Sequence, residues 1–215
     1  RYAIRSLWHQ PSFALTAILT LALGIGATTA IFSVVNAVVI RPLPYQQPDR
    51  IVGIMNLWTR TGVRGANVSG PDFLDWKAQS RSFAPMALYI GGEQSVTVNG
   101  QADYASVFNV TPGFFDALGG RVALGRMLST EEQNPGGLAV LITDAFWKRQ
   151  FNGNPAALGS TVKFRNRLFT IVGVLEPGVR FPARADIYSA AGAFDPAMSR
   201  GGHNYRIVAR LKPEV

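Results

Sequence analysis

The sequence contains no cysteine. Disulfides, thiolate nucleophiles and cysteine-bound zinc are thereby excluded, while the compartment stays open. Histidine is nearly as scarce: His9 and His203 are the only two, with almost the whole chain between them. A catalytic histidine needs a nucleophile and an orienting group beside it. His203, next to Gly201 and Gly202, therefore reads as a loop residue. No G-x-x-x-x-G-K-[ST] loop, G-x-S-x-G elbow or H-E-x-x-H helix occurs, so nucleotide gripping, serine hydrolysis and zinc-peptidase chemistry have no support.

Negative charge is also in short supply, with 13 acidic residues against 21 basic ones and a formal net charge of +8. The excess is spread thinly, its densest points being Lys148-Arg149 and the group Lys163, Arg165, Arg167. Phosphate backbones are held by concentrated patches, and no helix-turn-helix, zinc-finger or RNP pattern accompanies these residues, so no nucleic-acid partner is expected. Asp72 and Asp75 form the one carboxylate pair that invites a metal or acid–base reading. Their place at the start of an expected helix already gives both a structural reason, because carboxylates favour the positive helix N-terminus.

What the chain does have is a long run without charge, Phe13 to Ile40. As a helix it would extend about 42 Å, against roughly 30 Å of bilayer hydrocarbon. A buried core helix is shorter and keeps a polar face, whereas this run has only scattered Thr, Ser and Asn36. A cleaved secretory signal is the rival reading, since Arg1 and Arg5 precede the run. Its apolar core would span only about 7–15 residues, and here apolar character persists to Ile40, so the segment is expected to be retained. Within it Ala22, Gly26 and Ala30 recur every four residues, and Ser33 and Ala37 roughly prolong that face. Small residues let two helices approach closely in lipid, so these five positions are the candidate helix-packing site.

The flanks differ in texture. Before the run, Tyr2, Ile4, Leu7 and Trp8 alternate with Arg5, His9 and Gln10, which suits either a headgroup-level amphipathic segment or the first turns of the same helix. Arg1 and Arg5 on one side and Arg41 and Arg50 on the other nearly balance, favouring a cytoplasmic N-terminus only slightly. After Arg41, Pro42, Pro44 and Pro48 end the helix.

From Ile51 onward the pattern is of short strands and short helices. Strands are expected over Ile51 to Trp58, Met86 to Ile90, Ser95 to Val98, Tyr104 to Val110, Leu138 to Ile142, Thr161 to Phe164, Leu168 to Leu175 and Tyr205 to Leu211. Asn99-Gly100 predicts a two-residue hairpin turn. Helices are expected after Ser69, after Thr111-Pro112 as their cap, and over Asp144 to Phe151 with Thr143 as cap. A capping box is expected at Ser129 and Glu132. The fold class is α+β with a mixed or antiparallel sheet.

Several stretches together resemble a known family. ALTAILTLALGIGATTAIFSVVNAVVIRPLPYQQPDRIV is similar to the first membrane helix and exit loop of MacB-like ABC transporter permeases, in particular the duplicated-permease branch common in Acidobacteria. PDFLDWKAQSRSF, VTPGFFDALGGRVALGRMLSTEE and VLITDAFWKRQFNGNPAALGSTVKFRNRLFTIVGVLEPGVRFP resemble the periplasmic core domain of that family, in order. One departure is Arg165-Asn166-Arg167, where the family usually carries a glycine-containing turn. The resemblance implies a juxtamembrane segment at 1–11, a transmembrane helix at 12–41, and a two-lobed periplasmic domain at 42–215, with further membrane helices beyond Val215. It implies no catalytic centre, metal or cofactor in this chain, ATP being bound by a separate ABC ATPase subunit. The implied partners are the lipid bilayer of the bacterial inner membrane, that ATPase, a second permease half or fused duplicate, and a periplasmic adaptor or cargo. The implied action is mechanotransmission, in which ATPase closure is relayed through stiff helices to the periplasm. The alternative reading is a membrane-tethered sensor or scaffold with no transport role, and an anchored hydrolase is third.

Overall fold

Proline at the head of a helix loses nothing, because its missing N–H would have had no acceptor there. The helix accordingly starts at Pro11 and runs as α1 (Pro11–Val35). At 1.5 Å per residue its length is about 37 Å, enough to cross the hydrocarbon layer. None of its residues is buried. Three of its four threonines are satisfied internally: Thr16, Thr20 and Thr28 each donate a hydroxyl to the carbonyl one turn back, at 2.9, 2.8 and 2.8 Å. A polar atom bonded within its own helix makes no demand on the surroundings, so an apolar solvent can accept it.

The computed structural model describes residues 11–36, 45–134, 136–182, 184–191 and 199–215. The amphipathic 1–10 segment, the run from Ala37 to Ile40 and the helix-ending Pro42 and Pro44 lie outside the described residues. The chain divides into two units, Arg1–Leu43 and Pro44–Val215.

The second unit contains eleven strands among its described residues: β1 (Ile51–Ile54), β2 (Asn56–Trp58), β3 (Val63–Gly65), β4 (Phe83–Val98), β5 (Gln101–Val110), β6 (Val122–Gly125), β7 (Ala139–Ile142), β8 (Thr161–Phe164), β9 (Arg167–Leu175), β10 (Ile187–Ala190) and β11 (Arg206–Leu211). Three α-helices intervene among the described residues, α2 (Gly70–Gln79), α3 (Phe114–Leu118) and α4 (Asp144–Phe151). The main sheet runs β1-β11-β4-β5-β10-β7-β9-β6, with β8 pairing both β4 and β9. It is mixed: β5 with β10 and β7 with β9 are parallel, the other pairs antiparallel. Because β8 joins the far end of β4 to β9, the pairing β4-β5-β10-β7-β9-β8 closes into a ring.

All six ring strands send side chains into one cluster, among them Val96, Val107, Ile142, Val162, Ile171 and Ile187, and α4 adds Phe146. Successive strand residues point to opposite faces. Leu141 therefore leaves that cluster for a second one on the outer face, where α3 packs Phe114, Phe115 and Leu118 against Tyr89, Tyr188 and Val208. The same alternation splits the start of β4. Ala87 and Tyr89 face α3, while Met86 and Leu88 face a third cluster with Phe73 of α2. Buried on both sides, Met86 to Tyr89 read as a continuous apolar run.

Local signals place most of these elements. Ser69 caps α2, its Oγ accepting from Asp72 N at 3.1 Å, and Thr143 caps α4, its Oγ1 accepting from Phe146 N at 3.3 Å. Asn99 and Gly100 sit at φ 51° and 79°, the two-residue turn that joins β4 to β5. Arg165 and Asn166 do the same between β8 and β9 at φ 49° and 57°, so this turn is tight without glycine. Three expectations are corrected. Ile51 to Trp58 is two strands in different sheets, β2 pairing with β3. Met86 to Ile90 and Ser95 to Val98 are one strand through Gly91-Gly92. Thr111 does not cap α3: its Oγ1 accepts from Leu88 N at 2.8 Å as an extension of the sheet, and Gly113, at φ 89°, occupies the cap position.

The capping box forms on a turn. Ser129 N donates to Glu132 Oε2 at 2.8 Å, Glu132 N to Ser129 Oγ at 3.3 Å, and Arg126 grips the same carboxylate at 2.6 and 2.7 Å. The Arg126 guanidinium first, then the Ser129 backbone N–H, hold the Glu132 carboxyl down to about 2 from an ordinary 4.5. A carboxyl with a depressed folded pKa stabilises fully above its unfolded value and loses that contribution as pH falls through the folded one. Glu132→Gln is therefore expected to lower the melting temperature by a few degrees at pH 7. The gap to the parent should shrink below about pH 4.5 and close only below about pH 2, as the folded carboxylate takes up its proton. A gap independent of pH, followed by circular dichroism, would mean that the charge is not what stabilises the turn.

Candidate functional site

The first and last strands of the domain lie side by side, with Ile51 opposite Arg210. Two arginines fasten this end. Arg50 donates from Nε to the Leu211 carbonyl at 2.9 Å, from Nη2 to the same oxygen, and from Nη1 to Gln47 Oε1 at 2.7 Å. Arg210 donates from Nε to the Ala117 carbonyl at 2.9 Å, in the last turn of α3, and from Nη1 to the Gln47 carbonyl at 3.4 Å. Burial pushes the Arg210 guanidinium down, the neighbouring Arg50 charge adding to the effect. A guanidinium on the final carbonyls of a helix also meets the negative end of its dipole. The segment leading into β1, the last strand and α3 are thus tied at one place. Sequence reasoning missed this clasp, since Arg50 and Leu211 are 161 positions apart and no local motif links them.

On α1, the small-residue positions Ala22, Gly26, Ala30 and Ser33 are all exposed, and Ala37 lies outside the described residues. A Cβ built on Gly26 would meet nothing within 4 Å. Among the described residues nothing packs on this face of the helix.

The carboxylates singled out in the sequence have partners. Arg200 Nη1 reaches Asp72 at 2.7 Å and Nη2 reaches Asp75 at 2.8 Å, so one guanidinium spans both. Asp72 also sits in the first turn of α2. His203 packs its ring against Trp58, 5.5 Å between centroids, with Nδ1 3.0 Å from the Gly201 carbonyl. Among the described residues no group of three or more His, Asp or Glu is placed to hold a metal ion. Tyr188, fully buried, donates its hydroxyl to the Phe181 carbonyl at 2.8 Å, and desolvation drives its pKa upward. A cavity of about 220 Å³ opens beside β4, walled by Tyr89 and Phe108 with Asn67, Asn204 and Arg206 at its rim. Arg206 Nε there donates to Asn67 Oδ1 at 3.2 Å.

A family model described as the MacB-like periplasmic core domain matches residues 14–215. Solved structures share the fold. The domain of a protein described as a permease from Porphyromonas gingivalis superposes with a TM-score of 0.62 at 18% identity, covering 80% of this chain and 79% of that one. The periplasmic region of MacB from Actinobacillus actinomycetemcomitans gives 0.55 at 18% identity, covering 77% and 74%. The extracellular domain of the noncanonic ABC-type transporter YknZ from Gram-positive bacteria gives 0.54 at 15% identity, covering 75% and 82%. At such identities the likeness is one of fold. No curated protein sequence matches the chain.

Proposed function

The chain belongs to the MacB-like periplasmic core domain family, the extracytoplasmic part of ABC transporter permeases, and from that membership we propose a mechanical role in the bacterial inner membrane. In this reading α1 crosses the membrane. ATP hydrolysis occurs on a separate ATPase subunit, and its closure is relayed through the membrane helices to the periplasmic domain, which drives export or acts on a periplasmic partner. The chain itself performs no chemistry. Hydrolysis of any substrate by residues 41–215 would refute that last point.

The observation that supports the reading is the clasp at the domain's root. A relay needs the strand that receives the displacement and the one beside it to move as one body. Two arginines bonding across β1 and β11 into α3 supply that stiffness, because charge-assisted hydrogen bonds to carbonyls are stronger and more directional than neutral ones. An α-helix suits the other half of the relay, since its backbone bonds run along the axis.

In the same reading the face formed by Ala22, Gly26, Ala30 and Ser33, prolonged by Ala37, packs against a helix of the second permease half or of a fused duplicate. Gly26→Leu is expected to leave membrane insertion intact, since leucine is at home in lipid, and to weaken assembly about tenfold by holding the backbones apart. Co-purification of the full-length protein with the ATPase encoded beside it, followed by ATP turnover with and without periplasmic candidates, tests the whole. A protein that never retains an ATPase would fit the tethered sensor or scaffold instead. A Gly26→Leu complex as stable in detergent as the parent would remove the packing face.

A further inference from the structure

A second surface is unused by this reading. Between the solvent face of the β4–β5 hairpin, the last turn of α4 and the start of β10 lies an open cleft of about 400 Å³. Arg149, Arg180 and Arg184 line it, with Glu93, Asp186 and Tyr104. The three guanidiniums are not equivalent. Arg149 is held by Asp186 at 3.1 Å, and the other oxygen of that carboxylate accepts from Ser106 N at 3.0 Å, so both oxygens of Asp186 are engaged. Arg180 and Arg184 are exposed, and neither has a carboxylate within ion-pair distance among the described residues. Elsewhere in the domain arginines near carboxylates pair with them, as Arg126 does with Glu132 and Arg200 with Asp72. Here Glu93 lines the same cleft and remains apart from both. Arg184 is also one of the few non-glycine residues in left-handed backbone, at φ 70°. Such conformations cost free energy and persist where surroundings hold them.

We propose that this cleft binds a phosphate group, with Arg180 and Arg184 as its two grips and Arg149 as a third positive charge at the wall. Guanidinium forks match the oxygen geometry of phosphate, and a doubly charged oxyanion satisfies two unpaired arginines where a single carboxylate satisfies one. Tyr104, two-thirds exposed at the rim, offers a ring and a hydroxyl to whatever carries the phosphate. The group is a terminal phosphate monoester, carried either by a soluble compound or by a lipid headgroup, and in both the chemistry at the two arginines is the same. The site stands apart from the mechanical role proposed above, and each can fail while the other holds.

The test titrates the full-length protein, in neutral detergent, separately with inorganic phosphate and with a short-chain phosphatidic acid, whose headgroup is a phosphate monoester, reading heat and melting temperature. Saturable binding of phosphate alone assigns a soluble ligand, and binding of the lipid only assigns a headgroup. Joint replacement Arg180→Ala and Arg184→Ala is expected to weaken the binding at least tenfold, the loss that goes with removing charge-assisted hydrogen bonds. Glu93→Gln, which removes the one unpaired carboxylate among the described residues lining the cleft, should tighten it severalfold, and added salt should weaken it. Failure of both probes to bind the parent would overturn the site. So would an undiminished affinity in the double variant, or an unchanged one in Glu93→Gln.

Discussion

Gly91→Ala is expected to destabilise the domain by about 2–4 kcal/mol, whereas Gly92→Ala, one residue along the same strand, should change little. A Cβ at Gly91 would lie 2.1 Å from the Val107 carbonyl oxygen and 2.7 Å from the Phe108 Cα. Both are backbone atoms of β5, so no side-chain rotation relieves the overlap, and the strands must part. A Cβ at Gly92 meets nothing within 4 Å. The close approach occurs where Phe108, directly opposite Gly91, lays its ring over the position a side chain would take. Parting β4 from β5 at this point would open the ring at its longest pairing, which runs from Tyr89 opposite Val110 to Val98 opposite Gln101. Chemical denaturation of the two variants beside the parent reads the difference. Equal stability of Gly91→Ala and Gly92→Ala would mean that β4 and β5 do not approach as described.

Phe114→Ala is expected to cost about 3–5 kcal/mol, the usual loss for truncating a buried phenylalanine. Phe114 is 1% exposed. Its ring meets Phe115 edge-on at 5.3 Å, Tyr89 at 5.8 Å, Tyr188 at 5.9 Å and Phe181 at 6.3 Å. Each aromatic contact adds to simple area burial, and the cavity left behind is walled by rings that cannot collapse into it. The consequence reaches the clasp. α3 is only five residues long and is held by this packing, and the Ala117 carbonyl that receives Arg210 is part of it. Loss of Phe114 should therefore lower the melting temperature by about 10 °C and flatten the near-ultraviolet aromatic signal. Phe114→Leu, which refills most of the volume, should recover much of both. A melting temperature unmoved by Phe114→Ala would show that the aromatic cluster is not what seats α3.

The same glycine marks a limit of reading by pattern. Gly91-Gly92 reads as a break between two short strands, because glycine weakens strands and signals turns, yet β4 runs straight through. What sequence cannot express is that the opposite strand needs the missing side chain. Thr111 illustrates the converse, since threonine before a short helix is a fair cap by composition. Its hydroxyl is instead taken by Leu88 N, a partner 23 positions back that only strand pairing brings near.

The candidate sites divide along the same line. The apolar length of α1 and its small-residue face are legible from composition, as are the caps Ser69 and Thr143 and the turn at Asn99-Gly100. Each rests on interactions within a few residues, where chain connectivity alone fixes the distances. The union of Asp72 and Asp75 under Arg200, the clasp of Arg50 and Arg210, the grouping of Arg149, Arg180 and Arg184, and the closing of the ring by β8 were decided by tertiary structure alone. These contacts join residues that connectivity leaves free, and only the strand registers, set by burying alternate faces against three cores, bring them together.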